Sequence, residues 1–404
     1  MQHGNRSDAT GRRGMVGFSS SPDDFPPPPA MSASLPSEQS NRRSFLEQLA
    51  LGGGAAALLA GCQPDAGPGA TGPTTGAAAA DGAVAAGGSA AAGGSGTGNR
   101  RLRAAFSNAG LQSTWCALGK TTAELWGKLL NVEVVWFDGE FDPEKQRNKI
   151  DTITGDDWDF CCFQAVQIDS LKEPVSRLKA RNIPVISMDT LLVAMDEMRN
   201  TGVWVEVTPD QVFMGESSSR YLMEKIGGKG KVIHIGGLSA HSGAQGRRQG
   251  FENVHKNHPN VEVLGGGVRW CDWKEEKARD TFEALIAQEQ EPIAGAFFHS
   301  DQMALACLPA IKNTIHKNMV VTAVDGQKEG LLAVKEGRLA ATTVNPVCLI
   351  HKTALFVGQF IVRNAEKPDS VPLEIITPGP LVSLENKTTL DAMFYLADPT
   401  HCLV

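Results

Sequence analysis

Phe160-Cys161-Cys162-Phe163, then a helical pattern over about 168–181, then Ile183-Pro184-Val185-Ile186-Ser187-Met188-Asp189: this stretch decides the fold. A run that is apolar at every position has no face to offer water, which fits a strand in a sheet buried on both sides. Strands alternating with helices indicate parallel sheets with helices on both faces. The same alternation extends outward. Upstream, Leu102-Arg103-Ala104-Ala105-Phe106-Ser107 reads as a strand, Cys116 to Leu130 as a helix, and Val132-Glu133-Val134-Val135-Trp136-Phe137 as a strand, followed by a charged helix from Asp142. Downstream of Asp210 come strands at Lys231-Val232-Ile233-His234-Ile235, Val261-Glu262-Val263-Leu264, Ala296-Phe297-Phe298 and Met319 to Val324, with helices between them. Two runs of similar length predict two similar α/β lobes, with the change near Val203 to Asp210.

Composition bounds the rest. The 404 residues are 42% hydrophobic and 21% charged, with 43 Gly, 22 Pro and a net charge of −7. The length is ample for a buried core. A negative balance argues against a nucleic-acid partner, which needs a basic face. Only Leu46 to Cys62 approaches membrane character, and it is too short and Gly-rich to span a bilayer securely, so a multispan membrane protein is excluded. The glycines crowd into 52–98 without a period of three, which excludes collagen.

The first hundred residues read as an address and a tether. Residues 1–40 are polar and Pro-rich and form no core. Asn41-Arg42-Arg43-Ser44-Phe45-Leu46 leads an Ala/Gly/Leu segment that ends in Leu59-Ala60-Gly61-Cys62. A positive start, an apolar middle and small residues before the cysteine make an export signal. The paired arginines resemble a twin-arginine signal, and Leu-Ala-Gly-Cys resembles a lipobox, in which Cys62 is lipidated and begins the mature chain. Because signals sit close to a chain start, Met31 or Met15 is a candidate start. Residues 63–100 are a flexible Ala/Gly-rich linker, with a reach of about 30–40 Å at ~5–6 Å × √n. These features predict a periplasmic or cell-envelope protein, attached to the membrane by lipid only.

Ligands in open α/β sheets bind beyond the carboxyl ends of strands. The residues found there are Ser107, Gln112, Ser113 and Trp115, then Gln164, Asp189, Trp270 and Trp273, Ser300 and Asp301, Asp325 and Asn345, with Arg247 at a helix start. The set is polar, planar and aromatic. It holds no nucleophile paired with a histidine base and no compact metal-ligand spacing, so neither enzyme nor metalloprotein is expected, and no cofactor. Asp301 is expected to cap the helix from Gln302, and Trp270 rivals Trp273 for the site.

Five motifs in order carry a resemblance. Ile183 to Asp189, Arg247-Arg248-Gln249-Gly250-Phe251, Ser300-Asp301-Gln302-Met303-Ala304, Val324-Asp325-Gly326 and Leu339-Ala340-Ala341-Thr342 leading to Asn345 resemble the periplasmic sugar-binding proteins of the ribose-binding type, which serve ABC importers. The resemblance covers 101–385. It implies a type I periplasmic-binding-protein fold, in which two parallel-sheet lobes joined by a three-strand hinge close on a ligand. It implies that Trp115 and Trp273 sandwich a sugar ring and that Asp189, Arg247, Asp325 and Asn345 hold hydroxyls, with Ser113, Gln164 and Ser300 as weaker contacts. The chemistry agrees: carboxylates accept hydroxyl hydrogens, a guanidinium donates in a fork, and rings cover C–H faces. Where the family carries asparagines this chain has Ser113, Ser300 and Gln164, and two Trp replace smaller Phe, so the pocket is reshaped and the ligand is a sugar or related polyol rather than ribose specifically.

The expected division is 1–40 disordered extension, 41–62 signal, 63–100 linker, 101–205 plus 327–345 N-terminal lobe, 206–326 plus 346–385 C-terminal lobe, and 386–404 tail. The expected partner is an ABC transporter permease that reads the closed, monomeric form. The alternative is a sensing module that presents its loaded state to a receptor or kinase. A transcription regulator of the lactose-repressor type shares the core, but an export signal stands where its DNA-binding helices would be. Of the eight cysteines, Cys161 and Cys162 should face opposite sides of their strand, and most of the rest should be small core residues.

Overall fold

The computed structural model describes residues 100–401. The export segment, Cys62, residues 63–99 of the linker and Cys402 lie outside the described residues.

The first half runs β1 (Leu102–Asn108), α1 (Thr114–Leu129), β2 (Val132–Asp138), α2 (Pro143–Ile153), β3 (Phe160–Phe163), α3 (Lys172–Ala180), β4 (Val185–Met188), α4 (Met198–Thr201) and β5 (Val203–Thr208). The second runs α5 (Gln211–Lys225), β6 (Gly230–Gly236), α6 (Ser242–His255), β7 (Val261–Val263), β8 (Arg269–Trp270), α7 (Glu275–Ile286), β9 (Gly295–Phe298), α8 (Asp301–Ile311), β10 (Val320–Asp325), α9 (Lys328–Lys335) and β11 (Ala341–Val344). The chain then adds α10 (Val347–Arg363), β12 (Glu374–Ile376), β13 (Leu381–Ser383) and α11 (Lys387–Leu396).

Two sheets result. The first has the order β12-β5-β4-β3-β1-β2 and the second β13-β11-β10-β9-β6-β7, with β8 also on β6. All pairings are parallel except that of β13 with β11. Apolar side chains fill both faces of each sheet. In the first sheet Ala104, Phe106 and Cys162 join one cluster, while Ala105, Cys161 and Phe163 join the other. In the second sheet Ile233, Ile235 and Phe298 oppose Val232 and Phe297. Cys161 and Cys162 thus point to opposite sides of β3, as alternation requires. Each fully buried Phe in these clusters contributes roughly 1.5–3 kcal/mol through removal from water.

The topology corrects the expected division. Residues 327–345 do not belong to the N-terminal lobe. β11 pairs with β10 in register from Thr322↔Ala341 to Asp325↔Val344, so it completes the second sheet. Residues 346–376 pack on the first sheet instead. Helix α10 buries Val347, Ile350, Ala354, Leu355, Val357 and Ile361 in the same cluster as Phe106 and Phe160. Two glycines allow its close approach. A Cβ on Gly119 of α1 would lie 2.4 Å from the His351 ring, and one on Gly358 of α10 would lie 2.2 Å from the Phe160 ring. β5 also belongs to the first lobe, which moves the first boundary to 209–210. Residues 386–401 are no tail, because α11 buries Leu390 against the second lobe.

The chain therefore crosses between lobes three times, after β5, after β11 and between β12 and β13. Two crossings are tied together where Thr377 N donates to Thr208 O at 2.9 Å.

Candidate ligand-binding site

Each lobe reverses its strand order once, between β1 and β3 and between β6 and β9. Such switch points open a crevice at the strands' carboxyl ends. The crevices of the two lobes face each other across one pocket, with about 440 Å³ of empty space that includes open solvent. All nine residues expected from the sequence line it: Ser113, Trp115, Gln164, Asp189, Arg247, Trp273, Ser300, Asp325 and Asn345.

Local structure explains their placement. Asp189 follows β4 with φ +63, Trp273 follows β8 with φ +58, and Asp325 ends β10 with φ +119. Left-handed backbone at non-glycine residues is costly and persists only where surroundings impose it. Gly326 (φ +61) completes a turn after Asp325, and a Cβ there would lie 2.6 Å from Val344 Cγ2. The turn reading of Asp325-Gly326 and the pocket-facing reading are thus both true. Trp273 rests flat on backbone, since a Cβ on Gly237 would lie 2.2 Å from its ring. Trp270 instead meets Gly236 and the edge of His299, behind the pocket. Trp115 sits at the start of α1, 5% exposed, and its indole N–H donates to Asn345 O at 3.2 Å.

The charged groups are wired together. Arg247 Nη1 lies 2.9 Å from Asp325 Oδ1 and also donates to His299 O, while its Nε donates to Gln211 Oε1 at 3.0 Å. Asp189 accepts from Gln164 Nε2 (2.6 Å), Asn345 Nδ2 (2.9 Å) and Gln211 Nε2 (3.2 Å). Burial pushes the Asp325 carboxyl up to about 6, against the pull of the Arg247 charge. Burial likewise raises Asp189, opposed by Arg247 and by its amide donors. Asn345 Oδ1 is buried and makes no hydrogen bond to the protein. It is an acceptor ready for a ligand hydroxyl, because leaving it unpaired costs about 1–3 kcal/mol.

The lobes touch around this pocket, so the cleft is closed. Leu191 N donates to Ser242 Oγ at 2.9 Å, and Thr114 N to Gln302 Oε1 at 3.4 Å.

The second lobe's wall is braced from behind. His234 and His299 meet Nε2 to Nε2 at 2.9 Å. His299 Nδ1 accepts from Gly237 N at 3.4 Å, so the proton of His299 sits on Nε2 and is donated to His234. Burial holds both imidazoles well below their ordinary range, His234 at about 3. Asp301 corrects the expected cap. Ser300 caps α8, its Oγ accepting from Met303 N at 3.2 Å. Asp301 is fully buried and accepts from Thr342 Oγ1 (2.6 Å) and Gln327 N (2.9 Å), tying α8 to the Asp325 turn.

Four wall residues were not anticipated, Ala109, Phe141, His241 and Gln302, and Cys116 lines the pocket beside them. Phe141 follows β2, one of the strand ends, and its ring fills the space that a Cβ on Gly110 would take. Gln211, which bridges Asp189 and Arg247, carried no sequence signal beyond its place at a helix start. Among the described residues no cluster of three or more His, Cys, Asp or Glu could hold a metal, and the six described cysteines are all buried.

Comparison with known proteins follows the geometry. The model of the periplasmic binding protein domain matches residues 104–358. The chain is 27% identical to the xylitol-binding protein of Mycolicibacterium smegmatis over 260 residues, 64% of this chain and 72% of that one. It is 26% identical to a ribose import binding protein of Bacillus subtilis, over 64% of this chain and 81% of the other. The crystal structure of a galactofuranose binding protein superposes with TM-score 0.67 at 20% identity, covering 73% of this chain and 99% of that one, a likeness of fold. Two parallel-sheet lobes, three crossings and a shared cleft, matched by the family model over most of the described chain, make this chain a member of the periplasmic binding protein domain family.

Proposed function

We propose that the protein captures a sugar or related polyol between its lobes and delivers it to an ABC importer. The observation that carries this reading is the pocket itself, where carboxylates, a guanidinium, amides and two indoles meet at the switch points of both lobes. Hydroxyls both donate and accept, and this wall offers both functions in paired sets. Asp189 stands on the first lobe, Arg247 and Asp325 on the second, and Asn345 follows β11 beside Asp325, while Trp115 and Trp273 cover C–H faces. Ser113, Gln164 and Ser300 add contacts at the edge. The names of the relatives support the ligand class, since a polyol and a pentose both appear among them. Ligand contacts to both lobes favour the closed form, and the permease reads that outline. Export and lipidation at Cys62 would hold the domain at the cell envelope.

Isothermal titration of the full chain against xylitol, ribose, allose and myo-inositol tests the reading. Saturable binding of at least one is expected, and loss of that binding in Arg247→Ala. A flat trace for a wide panel of sugars and polyols overturns it. Mass spectrometry of the membrane fraction, with and without Cys62→Ser, tests the anchor.

A further inference from the structure

Gln211 opens α5 directly after the first crossing, outside the set that lines the pocket. Its side-chain oxygen accepts from Arg247 Nε at 3.0 Å. Guanidinium nitrogens only donate, so this contact fixes the amide's orientation and turns its NH2 toward Asp189. There Nε2 donates to both Asp189 O and Asp189 Oδ1, each at 3.2 Å. Asp189 stands on the first lobe and Arg247 on the second. Gln211 is therefore the one described side chain hydrogen-bonded to both of these charged groups. Its stem is also held. A Cβ on Gly246 would lie 2.6 Å from Gln211 Cβ, and one on Gly243 would lie 3.1 Å from Nε2, so α6 offers two bare positions where this side chain packs.

We propose that Gln211 is a positioning residue whose amide, donor end on Asp189 and acceptor end on Arg247, couples the two lobes and sets how often the cleft closes before ligand arrives. Only a group that donates at one end and accepts at the other satisfies both partners. A carboxylate in its place keeps the bond to Arg247 but sets acceptor against acceptor at Asp189. A leucine keeps the packing on Gly243 and Gly246 and removes both bonds. The inference deepens the binding role above and predicts a pre-closed population, which lowers the ordering cost that ligand must overcome.

The first measurement needs no ligand. Spin labels carried by unnatural amino acids at Asn148 and Glu276, exposed residues on opposite lobes, report the lobe separation in the full chain by double electron–electron resonance. The short-distance population is expected to fall at least fivefold in Gln211→Leu and further in Gln211→Glu, with xylitol affinity falling about tenfold in the first. Three outcomes overturn the proposal: wild type without a short-distance population, both variants matching wild type, or Gln211→Glu keeping the short distance while Gln211→Leu loses it, which marks a packing role alone. Absence of xylitol binding in every variant would count against the ligand class and leave the distance result decisive.

Discussion

The two lobes share one strand order but face the cleft differently. The first presents Ser113 and Trp115 at the start of α1, Gln164 after β3 and Asp189 after β4, the last two joined by an amide-to-carboxylate bond. The second presents Arg247 and Asp325 as a buried ion pair, backed by the histidine pair and by Asp301. One wall is assembled from neutral donors around a single charge, and the other is a charge pair fixed before any ligand enters. A buried charge with its partner removed costs far more than a neutral contact, so the second wall should be the less tolerant of change.

Arg247→Ala should have the largest effect. It strands Asp325 in a buried site, at about 3–5 kcal/mol, and affinity for whichever polyol or sugar binds should fall a hundredfold or more by calorimetry. A loss no greater than that of Asp189→Asn would erase the asymmetry between the walls. Trp115→Ala comes next. It empties a core position and frees Asn345 O, so thermal denaturation should show a loss of about 3–5 kcal/mol, whereas Trp273→Ala, on the pocket side of Gly237, should cost affinity more than stability. Asp189→Asn should weaken binding roughly tenfold to a hundredfold, the worth of charged hydrogen bonds at about 1.5–3 kcal/mol, with little change in melting temperature.

The smallest effect is on pH dependence, and it again separates the lobes. Glu206 on β5 of the first lobe is fully buried, and burial pushes its carboxyl up to about 8. A raised folded value binds protons more tightly than the unfolded chain does, so this contribution is fully present below about pH 4.5 and is lost as pH rises through 8. In the second lobe His234, held at about 3, works in the opposite sense. Its contribution is present above about 6.5 and is lost as pH falls toward 3. Glu206→Gln should flatten the alkaline side of a melting-temperature profile and leave the acid side unchanged. An unchanged alkaline slope would place the carboxyl in contact with water.

Much of this was legible in the residues. The apolar strands Phe160 to Phe163 and Gly295 to Phe298 have no hydrophilic face, so doubly covered sheets followed directly, and strand ends pointed to eight of the nine pocket candidates, Arg247 coming from a helix instead. The lobe membership of α10 and β11 was not legible. Both are apolar segments that suit either sheet, and the choice rests on distant partners, such as Phe160 facing Gly358. Trp273 and Trp270 could not be separated by spacing either, because left-handed backbone at Asp272 and Trp273 turns one ring onto Gly237 and leaves the other behind. Asp301 looked like a cap because caps are local, whereas its partners Thr342 and Gln327 lie far along the chain.

Cys116 lines the pocket, is 3% exposed, and has its thiol pushed up by burial. Alkylating reagents attack thiolates, so this sulfur is silent while the cleft is shut. An opening that admits solvent to the pocket wall would lift that burial and restore its acidity. The rate at which Cys116 is alkylated would then follow how often the cleft opens, and a bound ligand that keeps the lobes together should slow it.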